Sequence, residues 1–202
     1  LVYWGGMAIA GNRYHFDLTL DLDRRLPFVP GFVYIYLICY LFWVVNYLLA
    51  AGNGKDYFYR YLTADLTARV VCFLFFVFFP TTNVRPELAG DSLSITLLRW
   101  LYQMDKPENL LPSIHCMNSW FCYIAVRGRK DIPCWYRIFS FVFAWLIALS
   151  TVLIRQHVVV DIAAGFLLAE VMWQFYGKTK YYKNVRQFYE KINGIIRQKL
   201  LK

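Results

Sequence analysis

The sequence predicts an all-α fold, a polytopic bundle of about six transmembrane helices, and three observations predict it. Of the 202 residues, 59% are hydrophobic and 20% aromatic, against about 45–50% apolar residues in an ordinary soluble domain. The excess lies in runs, at 32–51, 70–79 and 139–154, and the longest reach the roughly 20 residues that cross a bilayer core. A spanning sheet would have to close into a barrel and show alternation over about ten residues per strand, a pattern the chain lacks. One soluble core has no room for so many continuous apolar faces.

Six hydrophobic elements follow in order. The first, about 1–10, is too short to span unless residues precede it, and the chain opens on Leu1 rather than Met. No charged segment with a small-residue cleavage site follows, so no secretory signal is expected. The second runs from about 32 to 51 and the third from about 66 to 79, closed by Pro80. The fourth covers about 113–126, the fifth 139–154 and the sixth 158–176. Length and charged boundaries set these limits, because helices facing lipid are apolar all round and periodicity says little. The elements up to 176 form one transmembrane domain, and 177–202 form a tail.

Orientation follows from the basic residues. With the first element starting inside, the inner segments 52–63, 127–137 and 177–202 hold twice as many Lys and Arg as the outer ones. Positive charge concentrates on the cytoplasmic side; the other face is extracytoplasmic in a multi-pass protein of the plasma membrane, the expected location, and lumenal in an organelle. The net charge of +9 raises the possibility of nucleic acid as a partner. Much of it sits in the tail, however, where Tyr181, Tyr182, Val185, Phe188, Tyr189 and Ile192 are interspersed. That pattern suits a basic amphipathic helix on an anionic leaflet, with a merely solvated helix as the alternative. Membrane lipids, not nucleic acid, are the expected partners.

The five cysteines are odd in number, and three lie inside apolar runs; they read as small buried hydrophobes, not as a disulfide frame or zinc site. His15 with Asp17, Asp21 and Asp23 has loose spacing for a metal site and reads as a solvated loop. No metal and no cofactor are expected.

Two of the three histidines fall at the predicted outer ends of helices. His157 and Asp161 are four residues apart, so they share one helix face. Asp161 lies just inside an apolar run, where a carboxylate is costly and is by default a functional candidate. A carboxylate on one imidazole nitrogen fixes the tautomer and leaves the other nitrogen to attack; a structural His–Asp pair is the equal alternative. Pro112 can begin a helix whose Ser113 and following amides form a ready anion site, and His115 is then placed as a general acid. Arg85, Lys106 and Arg155 are cations able to hold phosphoryl oxygens. Singly, each is as readily an interface cation reaching for headgroups.

Pro112-Ser113-Ile114-His115, followed by Ser150, His157, Asp161 and Gly165, resembles the type 2 phosphatidic acid phosphatase superfamily, over roughly residues 80–170. Arg85-Pro86 is similar to the end of that family's first motif. The resemblance implies a six-helix, metal-independent lipid phosphatase or phosphotransferase. It implies His157 as the nucleophile that forms a phosphohistidine, Asp161 as its orienter, His115 as the acid, and Ser113, Arg85 and Ser150 in the phosphate pocket. There are departures. Phe78 stands where the first motif has lysine, Pro107 beside Lys106 where the second has arginine, and Ser150-Thr151 where the third begins Ser-Arg. Arg155, two residues before His157, is similar instead to the sphingomyelin and inositol phosphorylceramide synthase branch. The expected reaction is cleavage of a lipid phosphate or diphosphate, with headgroup transfer to a lipid or polyol hydroxyl as the alternative. A transporter or a non-catalytic scaffold is the alternative of another class.

Overall fold

The computed structural model describes residues 2–200, with the side chains of residues 3, 4 and 196–200 left aside. Leu1 and residues 201–202 at the end of the expected tail lie outside the described residues. The chain is a helical bundle: α1 Val2–Ala10, α2 Asp21–Arg25, α3 Val33–Ala51, α4 Lys55–Phe78, α5 Leu93–Met104, α6 Ile114–Val126, α7 Cys134–Leu153, α8 Val159–Thr179 and α9 Tyr182–Leu200. Two two-residue strands, β1 Phe16–Asp17 and β2 Thr81–Thr82, pair in parallel.

Among the described residues, four helices are long and apolar enough to cross a membrane: α3 with its leading 3-10 turn, α4, α7 and α8. This fits the expected all-α polytopic bundle, with α1 and α6 among its shorter members. α1 has 9 residues and α6 has 13, and at about 1.5 Å per residue α6 extends only roughly 20 Å. α6 compensates by position. It is the central helix, packed against α3, α7 and α8, with nine of its residues, from Cys116 to Val126, buried. A helix wrapped by others does not need to match the bilayer thickness itself.

The side-chain distribution is that of a membrane protein. On α3 the buried stripe is Val33, Tyr36, Cys39, Phe42, Asn46 and Ala50, at helical spacing, while Ile38, Leu41, Val44 and Leu48 are large, apolar and exposed. On α4, Ala64, Ala68, Cys72 and Phe76 point inward and Leu66, Val70 and Leu74 outward. In water such outward faces would be a large aggregation-prone patch. In lipid they are solvated, and small inward residues let helices approach closely.

Two helices went unforeseen in part. α4 begins at Lys55, eleven residues before the expected start, because its inner turns carry charge. Those charges pair with α9, through Lys55–Glu190 at 3.7 Å and Arg186–Asp56 at 2.7 Å. α5 is amphipathic and capped by Ser92, whose Oγ accepts from the Ile95 N–H at 3.4 Å. α8 runs on to Thr179 and α9 follows, with Phe188 and Tyr189 exposed.

At the end of the bundle where α7 stops and α8 begins, the segment from β1 to α2 folds over the helix ends. The Val29 N–H donates to the Leu153 carbonyl. The buried Asp23 carboxylate accepts from the Val159 and Leu20 N–H groups at 2.8 and 2.9 Å. Thr81 of β2 accepts from the Leu110 and Leu111 amides, so the same cap fixes the approach to α6.

Candidate active site

The turn between α7 and α8 and the start of α6 meet beneath this cap. His157 ends the turn, with its N–H on the Thr151 carbonyl at 3.1 Å. Asp161, in the first turn of α8, is fully buried. Its Oδ2 accepts from the Val158 N–H at 3.0 Å and lies 3.3 Å from His157 Nδ1. A carboxylate there is favoured by the positive end of the helix dipole. Because the carboxylate only accepts, Nδ1 carries the proton and Nε2 presents a lone pair. No described residue bonds that nitrogen.

His115 stands in the first turn of α6, and its ring centroid lies 5.8 Å from that of His157. Ser113 caps the helix by accepting the Cys116 N–H at 3.2 Å. α6 and α8 lock together here. The Ser113 N–H donates to the Asp161 carbonyl at 3.2 Å, and a Cβ on Gly165 would fall 2.6 Å from the Ser113 carbonyl oxygen. Only glycine admits that approach, which brings the two histidines to one place.

Aromatic residues of α3 surround His115. The hydroxyls of Tyr36 and Tyr40 lie 3.5 Å from Nδ1 and Nε2 respectively. The rings of Tyr36 and Trp43 stand 4.6 and 5.4 Å away. Tyr36 Oη donates to Asp105 at 3.3 Å, so an acid–tyrosine–imidazole chain supports His115. Tyr36, Tyr40, Trp43 and Asp105 were not singled out in the sequence, where aromatic residues in an apolar run look like packing.

The other expected site residues divide. Ser150 is fully buried and its hydroxyl donates to the Ile147 carbonyl at 2.6 Å; Ser113 is likewise fully buried as the cap. The Arg155 guanidinium donates to the carbonyls of Asp23 and Leu26, which fastens the cap to the α7–α8 turn. The Arg85 guanidinium donates to the Asp105 carbonyl and Gln156 Oε1 and lies 4.4 Å over the Tyr102 ring. Lys106 is exposed between α5 and α6. The structure thus brings together His157, Asp161 and His115, with Arg85 and Arg155 on the wall behind them. Of the loose acidic group, Asp23 is structural, Asp17 holds Thr19, and His15 sits on the Arg13 carbonyl.

Two cavities meet at His157. One, of about 1010 Å³, is largely apolar and runs between α1, α3, α4, α5 and α6, with both histidines in its wall. The other, of about 360 Å³, is a polar vestibule under the cap, lined by Arg24, Arg85, Arg155 and Asp23 as well as His157.

Compared with known families, residues 94–184 match the model of the PAP2 superfamily. The match runs from α5 to the start of α9 and contains His115, His157 and Asp161; Arg85 precedes it. No curated protein and no solved structure matches the chain.

Proposed function

From the PAP2-superfamily match of residues 94–184, we propose that the chain is a membrane-embedded, metal-independent lipid phosphatase working through a phosphohistidine on His157. The match supports phosphatase- or phosphotransferase-type activity on a lipid phosphate. The observation that carries the finer reading is the His157–Asp161 pair, with no described residue bonded to His157 Nε2, 5.8 Å from His115 ring to ring in the wall of an apolar cavity.

The lipid's chains occupy the large cavity and its phosphate lies between the two histidines. His157 Nε2 attacks phosphorus and the bond from phosphorus to the lipid oxygen breaks. That oxygen takes a proton from His115, while Asp161 holds Nδ1–H and stabilises the charge arriving on His157. Water, entering from the vestibule and deprotonated by His115, then attacks the phosphohistidine; phosphate leaves and both rings return to their starting states. The Ile114 and His115 amides at the start of α6, which have no partner within the helix, face the developing charge together with Arg85 and Lys106. The basic excess in the segments opposite this end supports an extracytoplasmic site, in the plasma membrane. α9 then lies on the inner leaflet, its Phe188 and Tyr189 toward lipid.

The vestibule favours a second reading. A polyol or lipid hydroxyl entering it would replace water as the acceptor, giving headgroup transfer, and the Arg155-x-His157 spacing fits that branch. Phosphate release from a panel of lipid phosphates in detergent with EDTA tests the first reading. Release that survives EDTA is expected. No release from any of them, with label appearing instead on an added acceptor lipid, would replace hydrolysis by transfer.

A further inference from the structure

The large cavity holds a second polar group deeper than the histidines. Asn118 follows His115 by three residues, on the same face of α6 and about 4.5 Å further along its axis. Asn118 is more than nine-tenths buried, and both it and Arg69 of α4 line the cavity. Arg69 Nε is held by Asp65 Oδ2 at 2.9 Å, and its Nη2 reaches Asn118 Oδ1 at 2.9 Å and Tyr47 Oη at 3.3 Å. Tyr47 in turn donates to Asp65 Oδ1 at 2.9 Å. The network has no role in the phosphoryl chemistry above.

Its polarity is one-sided. A guanidinium only donates, so the Asn118 oxygen must face Arg69 and its amide nitrogen must face away. Asn118 Nδ2 and Arg69 Nη1 have no partner among the described residues. Two donors are thus presented to a space walled by groups such as Leu37, Val70, Phe73 and Trp100. Both donors open onto the cavity space, the Arg69 side chain being 28% exposed, so they are placed to meet an acceptor on whatever fills it, and ionisable groups inside membrane segments mark substrate paths.

We infer that Asn118 and Arg69 form a binding station for a carbonyl oxygen in the lipid's backbone, so that the substrate is an acylated lipid phosphate and not a pure hydrocarbon one such as a polyprenyl phosphate. The inference rests on the lipid-phosphate reading above. With phosphorus at His157, an acyl carbonyl follows within a few covalent bonds, and the station lies one helical turn below His115 in the direction the chains run. The carbonyl accepts from Asn118 Nδ2 and Arg69 Nη1, while Asp65 and Tyr47 hold the guanidinium in place. An ester of a glycerolipid and an amide of an N-acyl sphingoid lipid share this chemistry.

The test is binding to the His157→Ala protein, which keeps the lipid intact. Diacylglycerol phosphate, its dialkyl ether analogue and ceramide phosphate are compared in detergent. At least one acyl lipid is expected to bind about tenfold tighter than the ether analogue, and whether it is the ester or the amide identifies the source. Adding Asn118→Leu should remove that difference while leaving ether affinity unchanged. Equal binding of all three lipids, or an equal weakening of all three by Asn118→Leu, would overturn the inference; the first comparison stands even if the Asn118 variant folds poorly. Phosphate release by the wild-type protein is followed separately. Absent release with discrimination intact overturns the phosphatase reading alone, and release without discrimination overturns the carbonyl station alone.

Discussion

Replacing His157 by alanine is expected to abolish EDTA-resistant phosphate release, a loss on the order of 10⁴-fold or more in kcat. The size follows from the role. If His157 Nε2 is the atom that bonds to phosphorus, no other described group can take its place. His115 lacks the direct carboxylate partner that Asp161 gives His157; its two nitrogens lie 3.5 Å from the Tyr36 and Tyr40 hydroxyls. The fold should survive, because Asp161 keeps its bond from the Val158 N–H and the α7–α8 turn keeps its Thr151 and Arg155 contacts. A purely structural histidine would give the reverse pattern: a lowered melting temperature and turnover reduced only in proportion to the folded fraction. Measuring kcat and thermal unfolding on the same preparation separates the two.

Asp161→Asn is expected to lower kcat by about 10²–10⁴-fold with little change in stability. The amide has nearly the same shape, and its oxygen can still accept from Val158. That same atom, Oδ2, also faces His157 Nδ1, so with the amide oxygen there both hydrogen bonds persist, but the negative charge that stabilises the cationic phosphohistidine is gone. KM should change little, since Asp161 is sealed beneath His157 and touches neither cavity. Unchanged turnover in this variant would remove Asp161 from its orienting role.

The helices α3, α7 and α8 were legible as long apolar runs, and the His157–Asp161 contact was legible too, though not as one helix face: His157 lies in the turn before α8 and reaches Asp161 in its first turn. The lengths of the helices were less legible. Residues 113–126 are as apolar as a lipid-facing span, yet α6 is apolar because it is enclosed by its neighbours, and composition does not distinguish these two surroundings. The inner half of α4 was missed for the opposite reason. Lys55, Asp56 and Arg60 break the hydropathy signal, although two of them are paired with α9 and Arg60 lies 3.5 Å over the Trp173 ring.

Within the site, spacing identified the groups on one local segment and was silent on those that meet only in the fold. Arg155 and Ser150 stand in motif positions and were read as phosphate ligands; the structure shows Arg155 clasping two backbone carbonyls of the cap and Ser150 bonded to its own helix. Nothing in a sequence tells whether a guanidinium faces a ligand or a carbonyl. Tyr36, Tyr40 and Trp43 reach His115 across more than 70 residues of chain, and Arg69 reaches Asn118 across 49. Only the packing of α3 and α4 against α6 brings these pairs together.

The central claim is a covalent phosphohistidine, and rapid quenching tests it most directly. The wild-type protein is mixed with a lipid carrying labelled phosphate, stopped in alkali within one turnover, digested and mapped. A nitrogen–phosphorus bond survives alkali and is lost in acid, so the account predicts an alkali-stable, acid-labile label on His157, absent from His157→Ala. Turnover with no label on His157, or label on another residue, would contradict it.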